Sequence, residues 1–231
     1  MKSINKTARL AGFLYLIMIP FAIFGVMWPS TLIVTGDAAL TVSNIRASGS
    51  LFALSIFSAL LVQLGHIWLV LVLYKLLKAV NKNHALLMVI LFLISVPITM
   101  LSELNRLAAL LLMNGPDYLA TFTTAQTQSL MMFFLDLREQ GVFIATIFWG
   151  LWLFPMGYLI FKSGYIPKIL GVFLMIGCFG YLIDYVIFFL IPDFDISIAL
   201  FTGFGEQLFP LWLLIKGVNV EKWEKCAIET D

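Results

Sequence analysis

A few ionisable and amide side chains sit inside long apolar runs of this 231-residue chain, and they are the residues that could do chemistry. Gln63 and His66 share one run. Glu103, Asn105 and Arg106 share another. Arg138 and Glu139 stand at the edge of a third, Asp184 lies in a fourth, and Glu206 and Gln207 in a fifth. On membrane-insertion scales a central Asp, Arg or Lys costs about 2.5–3.5 kcal/mol, so a retained charge of this kind has a partner, a ligand or both. Glu103 and Arg106 are at i and i+3, project from one helix face and can pair. Asp184 and Glu206 have no cation at helical spacing in their own runs. We expect Glu103, Arg106, Asp184, Glu206 and Arg138 to line one polar pocket open to the outside, with His66 as a further ligand candidate. Carboxylates in excess of nearby cations suit a cation, a proton or an amine. The competing reading is that these groups only tie helices together, as interhelical polar contacts commonly do. For His66 the alternatives are a hydrogen-bonded core residue and a proton relay.

Other chemistries find little support. His66 and His84 are the only histidines, too few for a His-rich zinc or di-iron site. Cys178 lies in an apolar run and Cys226 in a charged tail, with no Cys-x-x-Cys. His-Glu-x-x-His, Gly-x-Ser-x-Gly and a Walker loop are absent. Gly203-Phe204-Gly205-Glu206 lies near the Gly-x-Gly-Asp signature of intramembrane aspartyl proteases, with Asp184 as a conceivable second carboxylate. Glu replaces Asp, however, and the other motifs of those enzymes are missing. No cofactor is expected.

The elements that position these residues follow from composition. Hydrophobic residues make up 61% of the chain and charged residues 12%, against roughly 45–50% and about 25% in ordinary proteins. Mean hydropathy is +1.01. A water-soluble fold of this length could not bury that surface, and disorder, coiled coil and collagen are excluded. An all-α, polytopic transmembrane bundle remains. Six runs approach the ~20 residues a spanning helix needs: 10–28, 51–77, 85–113, 141–161, 166–191 and 196–215. They lack strand-like alternation, and helices satisfy their own backbone in lipid. We read them as one six-helix domain, 1–231. The first run follows Lys2, Lys6 and Arg9 like a signal peptide, but it is too long and lacks a small-x-small cleavage site. Pro20, Pro97, Pro155 and Pro210 fall inside runs and predict kinks, or hinges of a gate. Residues 121–137 predict an amphipathic helix at the outer surface, with Met131, Met132, Phe133 and Phe134 available to bury.

Charge sets the expected orientation. Lys2, Lys6, Arg9, Lys75, Lys78, Lys82, Lys162, Lys168, Lys216, Lys222 and Lys225 fall on one side, eleven of the fourteen Lys and Arg. Asp37, Asp117, Asp136, Asp193 and Asp195 fall on the other. The positive-inside rule then places both termini in the cytoplasm, which requires an even number of spans. A net charge of +1 gives no case for nucleic-acid binding.

The whole chain resembles a family of bacterial six-helix integral membrane proteins catalogued as a domain of unknown function. The resemblance rests on Ala8-Arg9-Leu10-Ala11-Gly12-Phe13-Leu14-Tyr15, on Ile166-Pro167-Lys168-Ile169-Leu170-Gly171, and on Gly205-Glu206 followed by Leu211-Trp212-Leu213-Leu214-Ile215-Lys216-Gly217-Val218. It implies a multi-pass protein of the bacterial cytoplasmic (inner) membrane and no particular activity.

Three functions are weighed: a carrier for a small cation, proton or small molecule, a ligand-binding or regulatory membrane protein without transport, and, least favoured, an intramembrane enzyme. Partners expected are the lipid bilayer, a small-molecule or ion ligand, and a second copy of the chain, since six spans are few for a transporter monomer. The orientation can be checked with carboxy-terminal fusions. A fluorescent-protein fusion should fluoresce and an alkaline phosphatase fusion should be inactive, and the reverse pattern would reject cytoplasmic termini.

Overall fold

The computed structural model describes residues 2–115, 117–191 and 196–230. Asp193 and Asp195, expected on the outer loops, and Pro116 of the Asn-Gly-Pro turn lie outside the described residues. The chain is all-helical, with no strand among the described residues. Its helices are α1 (Lys2–Ala22), α2 (Trp28–Ser30), α3 (Ala38–Ala47), α4 (Gly49–Leu77), α5 (Lys82–Asn114), α6 (Thr124–Leu151), α7 (Leu153–Ser163), α8 (Lys168–Leu190), α9 (Ile198–Thr202), α10 (Phe204–Ile215) and α11 (Val220–Thr230). A π-helical turn, Ile23–Met27, joins α1 to α2.

Six segments are long and apolar enough to cross a membrane: Ile4–Ser30, Gly49–Leu77, Lys82–Asn114, Thr124–Ser163, Lys168–Leu190 and Ile198–Ile215. Each overlaps one of the six expected runs, and the protein is a multi-pass membrane protein. The distribution of polarity across α5 supports this. Ser95, Thr99, Ser102, Glu103 and Arg106 are buried, while Leu101, Leu104 and Leu111 are more than half exposed. A soluble helix has the opposite arrangement. In lipid the apolar face needs no cover and the polar face does.

The fourth segment differs from expectation. No separate surface helix precedes the span, because α6 runs unbroken from Thr124 through the expected boundary to Leu151. The stretch around Asp136-Leu137-Arg138-Glu139-Gln140 contains no residue that stops a helix, and Gly141 continues it. Met131 is buried but Phe133 is exposed, so the expected apolar stripe is buried only in part. The break comes instead at Trp152, between α6 and α7. Pro155 explains it: the ring lacks an N–H and collides with the carbonyl four residues back, at Leu151.

The described residues divide into two compact units. The smaller comprises Met18–Leu64 and Pro97–Ile144. Its core is Val42, Ile45, Phe52, Ile56, Ala109, Leu112, Met131 and Leu135. Here α3 begins on Asp37, whose carboxylate accepts from the Leu40 N–H at 2.8 Å, an N-cap inside what the sequence showed only as a long connection.

The larger unit comprises the described residues of Met1–Ile17, Gly65–Val96 and Ala145–Asp231. In it α8 packs on α7, α9 and α10. The α7–α8 contact is close because Gly157 meets Gly171. A Cβ on either glycine would stand 2.5 Å from the other's carbonyl oxygen. Small residues at crossings let membrane helices gain the dispersion contacts that hold them together. Gly171→Val should therefore destabilise the detergent-solubilised protein by about 1–3 kcal/mol or more in thermal unfolding. Gly49→Ala, whose new methyl would find only Met113 Cε at 3.8 Å, should be close to neutral.

Candidate functional site

The smaller unit places a carboxylate between two guanidiniums. Its construction starts at the π turn, where the Trp28 N–H reaches the Ile23 carbonyl five residues back. Such turns insert one residue into a helix and reorient its carbonyls. Gly25 lies in this turn and presses against α4. A Cβ there would stand 2.6 Å from the Ala59 nitrogen, so only glycine permits the approach. Ser58 on α4 donates its hydroxyl to the Phe21 carbonyl at 2.9 Å, fixing the same crossing.

Arg106 of α5 uses this arrangement. Its Nη2 donates to the Gly25 carbonyl at 2.9 Å, its Nη1 to Ser55 Oγ at 3.4 Å, and its Nε to Glu103 Oε2. The guanidinium carbon lies 5.9 Å from the centre of the Phe52 ring. Glu103 and Arg106 are 1% and 2% exposed, so this is a fully buried ion pair with each charge bonded. From α6, Arg138 donates Nε and Nη2 to the other oxygen, Glu103 Oε1, at 3.3 and 3.2 Å. One carboxylate thus holds two arginines. Gly141, one turn further along α6, sits directly on Ser102 and lets α6 come this close to α5.

Arg106 and Arg138 also line a cavity of about 240 Å³, together with Pro29, Ile33, Phe52, Leu135 and the carboxylate-bearing Glu139. That is the volume of about eight waters. Arg138 is 13% exposed there, and its Nη1 has no hydrogen-bond partner among the described residues. At Glu103 two guanidiniums meet one carboxylate, and the Glu139 carboxylate lines the same cavity.

Glu206 and Asp184 belong to the larger unit and have partners of their own. Glu206, in the first turn of α10, accepts from the Tyr15 hydroxyl of α1 at 3.2 Å and from the Tyr181 hydroxyl of α8. Asp184 of α8 accepts from Ser197 Oγ at 2.6 Å and from the Ile198 and Ala199 N–H groups at 2.6 and 3.0 Å. Both its oxygens therefore cap the start of α9, where a negative charge meets unpaired N–H groups. His66, in the same unit, packs its ring 5.1 Å from that of Phe92. Of the six candidates, Glu103, Arg106 and Arg138 are brought together.

The family model for the domain of unknown function DUF4386 matches residues 10–217. The chain belongs to this family. An archaeal relative from Archaeoglobus fulgidus, described as an uncharacterized protein, is 34% identical over 165 residues, covering 71% of this chain and 83% of its own. The likeness therefore extends beyond the bacterial range that the resemblance implied. No solved structure matches.

Several residues that build the site in this DUF4386 member escaped the sequence reading. Gly25 and Ser55 supply a backbone carbonyl and a hydroxyl to Arg106, and neither stands out from membrane-helix composition. Tyr15 and Tyr181 hold Glu206, although in an apolar run a tyrosine reads first as bulk. The one available signal was that Phe52, Ser55 and Ala59 share a face of α4 at i, i+3 and i+7.

Removing one partner of a buried pair leaves an uncompensated charge, at a cost of about 3–5 kcal/mol. Arg106→Leu should show that loss in thermal unfolding, and Glu103→Gln a comparable one. The double variant Glu103→Leu with Arg106→Leu should recover part of it. For α9, Asp184→Ala should destabilise more than Asp184→Asn, because the amide keeps one acceptor oxygen, with the larger effect about 1–2 kcal/mol.

Proposed function

We propose that this membrane protein binds a small carboxylate-bearing molecule in the cavity over Arg138. The observation that carries the reading is that Arg138, which lines the cavity, spends Nε and Nη2 on Glu103 and has no acceptor for Nη1 among the described residues, with Glu139 the one further carboxylate of the lining. A guanidinium can present a second edge to a planar carboxylate while its first is held in place. Glu103 supplies that fixed first edge. Phe52, Leu135, Ile33 and Pro29 provide an apolar wall for the remainder of a compact ligand. The volume of about 240 Å³ limits the ligand to a small organic acid. Arg106, with each of its three guanidinium nitrogens already bonded, forms the buried floor of the site.

A second reading, binding or movement of a cation or proton, is supported by Glu206, whose hydrogen-bond partners are two phenols. The two readings separate experimentally. Purified protein in lipid nanodiscs would be titrated with small mono- and dicarboxylates, and with amines of matched size, following thermal stability. Carboxylates should stabilise it, and Arg138→Gln should weaken apparent affinity about 10- to 100-fold, the worth of a charge-assisted hydrogen bond of roughly 1.5–3 kcal/mol. A response to amines alone, lost in Glu206→Gln and kept in Arg138→Gln, would favour the second reading and reject the first. Uptake into proteoliposomes would then distinguish transport from binding.

A further inference from the structure

Glu139 is the charged group of the Arg138 cavity that binding of a carboxylate leaves unused. It lines the cavity, is exposed, and makes no ion pair or hydrogen bond among the described residues. A carboxylate in a segment apolar enough to cross a membrane is costly unless water or a cationic group reaches it.

One helix builds the wall on which it stands. Leu135, Arg138 and Glu139 fall at i, i+3 and i+4 of α6 and share one face. That face sets two opposite charges side by side, one turn from an apolar residue. They do not neutralise each other. Side chains at i and i+1 leave a helix about 100° apart, and Arg138 gives Nε and Nη2 to Glu103 instead. Nη1 of Arg138 and the carboxylate of Glu139 are both left for a ligand. Phe52 of α4 and Ile33 add apolar lining.

Charge balance decides which ligand suits this wall. Two guanidiniums, Arg106 and Arg138, meet two carboxylates, Glu103 and Glu139, so the site has no formal net charge. A simple anion would satisfy Arg138 and leave an excess negative charge beside Glu139. A simple cation would satisfy Glu139 and leave Nη1 of Arg138 without an acceptor. An uncompensated charge in a poorly solvated site is penalised. A molecule that carries both charges keeps the balance at zero and gives each end a charge-assisted hydrogen bond.

We infer that the ligand of this cavity is a small zwitterionic amino acid, a conclusion that rests on the carboxylate reading of the same site. Its carboxylate meets Nη1 of Arg138, its ammonium meets the Glu139 carboxylate, and a compact apolar side chain lies against Leu135 and Phe52.

The test compares valine with isovalerate, which lacks only the ammonium, and with isobutylamine, which lacks only the carboxylate. The full chain in lipid nanodiscs is titrated with each, and apparent affinity is read from thermal stabilisation. Valine should bind about fivefold more tightly than isovalerate, the upper range for a solvent-accessible ion pair. Glu139→Gln should bring valine down to the level of isovalerate and leave isovalerate no weaker. Arg138→Gln should weaken both acids. Asp136→Asn, which removes an exposed carboxylate of α6 that does not line the cavity, should leave the advantage of valine intact. Isovalerate bound as tightly as valine by the unaltered protein, with both weakened in Arg138→Gln, would overturn the zwitterion and leave the carboxylate reading standing. An advantage of valine that survives Glu139→Gln would overturn the placement of the ammonium. No stabilisation by either acid, or stabilisation by isobutylamine alone, would reject both readings together.

Discussion

Charge inside hydrocarbon is the constraint from which the smaller unit is built. Glu103 and Arg106 are almost fully buried in a segment that spans a membrane, where no bulk water can share the cost of desolvation. Each N–H of the guanidinium and each oxygen of the carboxylate must therefore find protein. The π turn, the glycine that lets it meet α4, the Ser55 hydroxyl and the approach of α6 all serve that requirement. Arg138 completes it by engaging the second carboxylate oxygen. Two guanidiniums held on one carboxylate follow directly.

The larger unit solves a related problem with different groups. Glu206 meets phenols and not cations, and Asp184 meets the N–H groups at the start of a short helix. Both are polar contacts between separate helices, the kind that holds membrane bundles together. The close glycine crossing of α7 on α8 works alongside them through dispersion, since lipid offers apolar helices no hydrophobic drive to associate. At the edge of this unit the lysines belong to the surface. Lys168 and Lys216 are exposed at the ends of apolar helices, where a long cationic side chain keeps its ammonium hydrated.

The number and type of the elements were legible from the chain because they depend on composition over about 20 residues, a local quantity. The six observed segments match the six expected ones, with small shifts at most ends. The exception, α6, shows the limit of that reasoning. Polar residues at 136–140 suggested a boundary, yet polarity does not end a helix when no proline or capping residue is present. The Glu103–Arg106 pair was equally legible, since i and i+3 on one helix is fixed by helical geometry. The partnership of Glu103 with Arg138 was expected only as a possibility among five charges, because it requires α5 and α6 to be neighbours.

Sequence alone thus determined that the chain is a multi-pass helical membrane protein, where its spans run, and which few ionisable residues enter them. Hydropathy and spacing suffice for that, since each is a property of one segment. Tertiary structure decided which charges meet. It gave Arg106 the Gly25 carbonyl across 81 residues of chain, placed two arginines on one carboxylate, turned Asp184 into a cap and gave Glu206 to two tyrosines. Those pairings depend on helix crossings set by single glycines and one π turn. Such features leave almost no trace in composition, because a glycine at a crossing and a glycine facing lipid look alike until the neighbouring helix is in place.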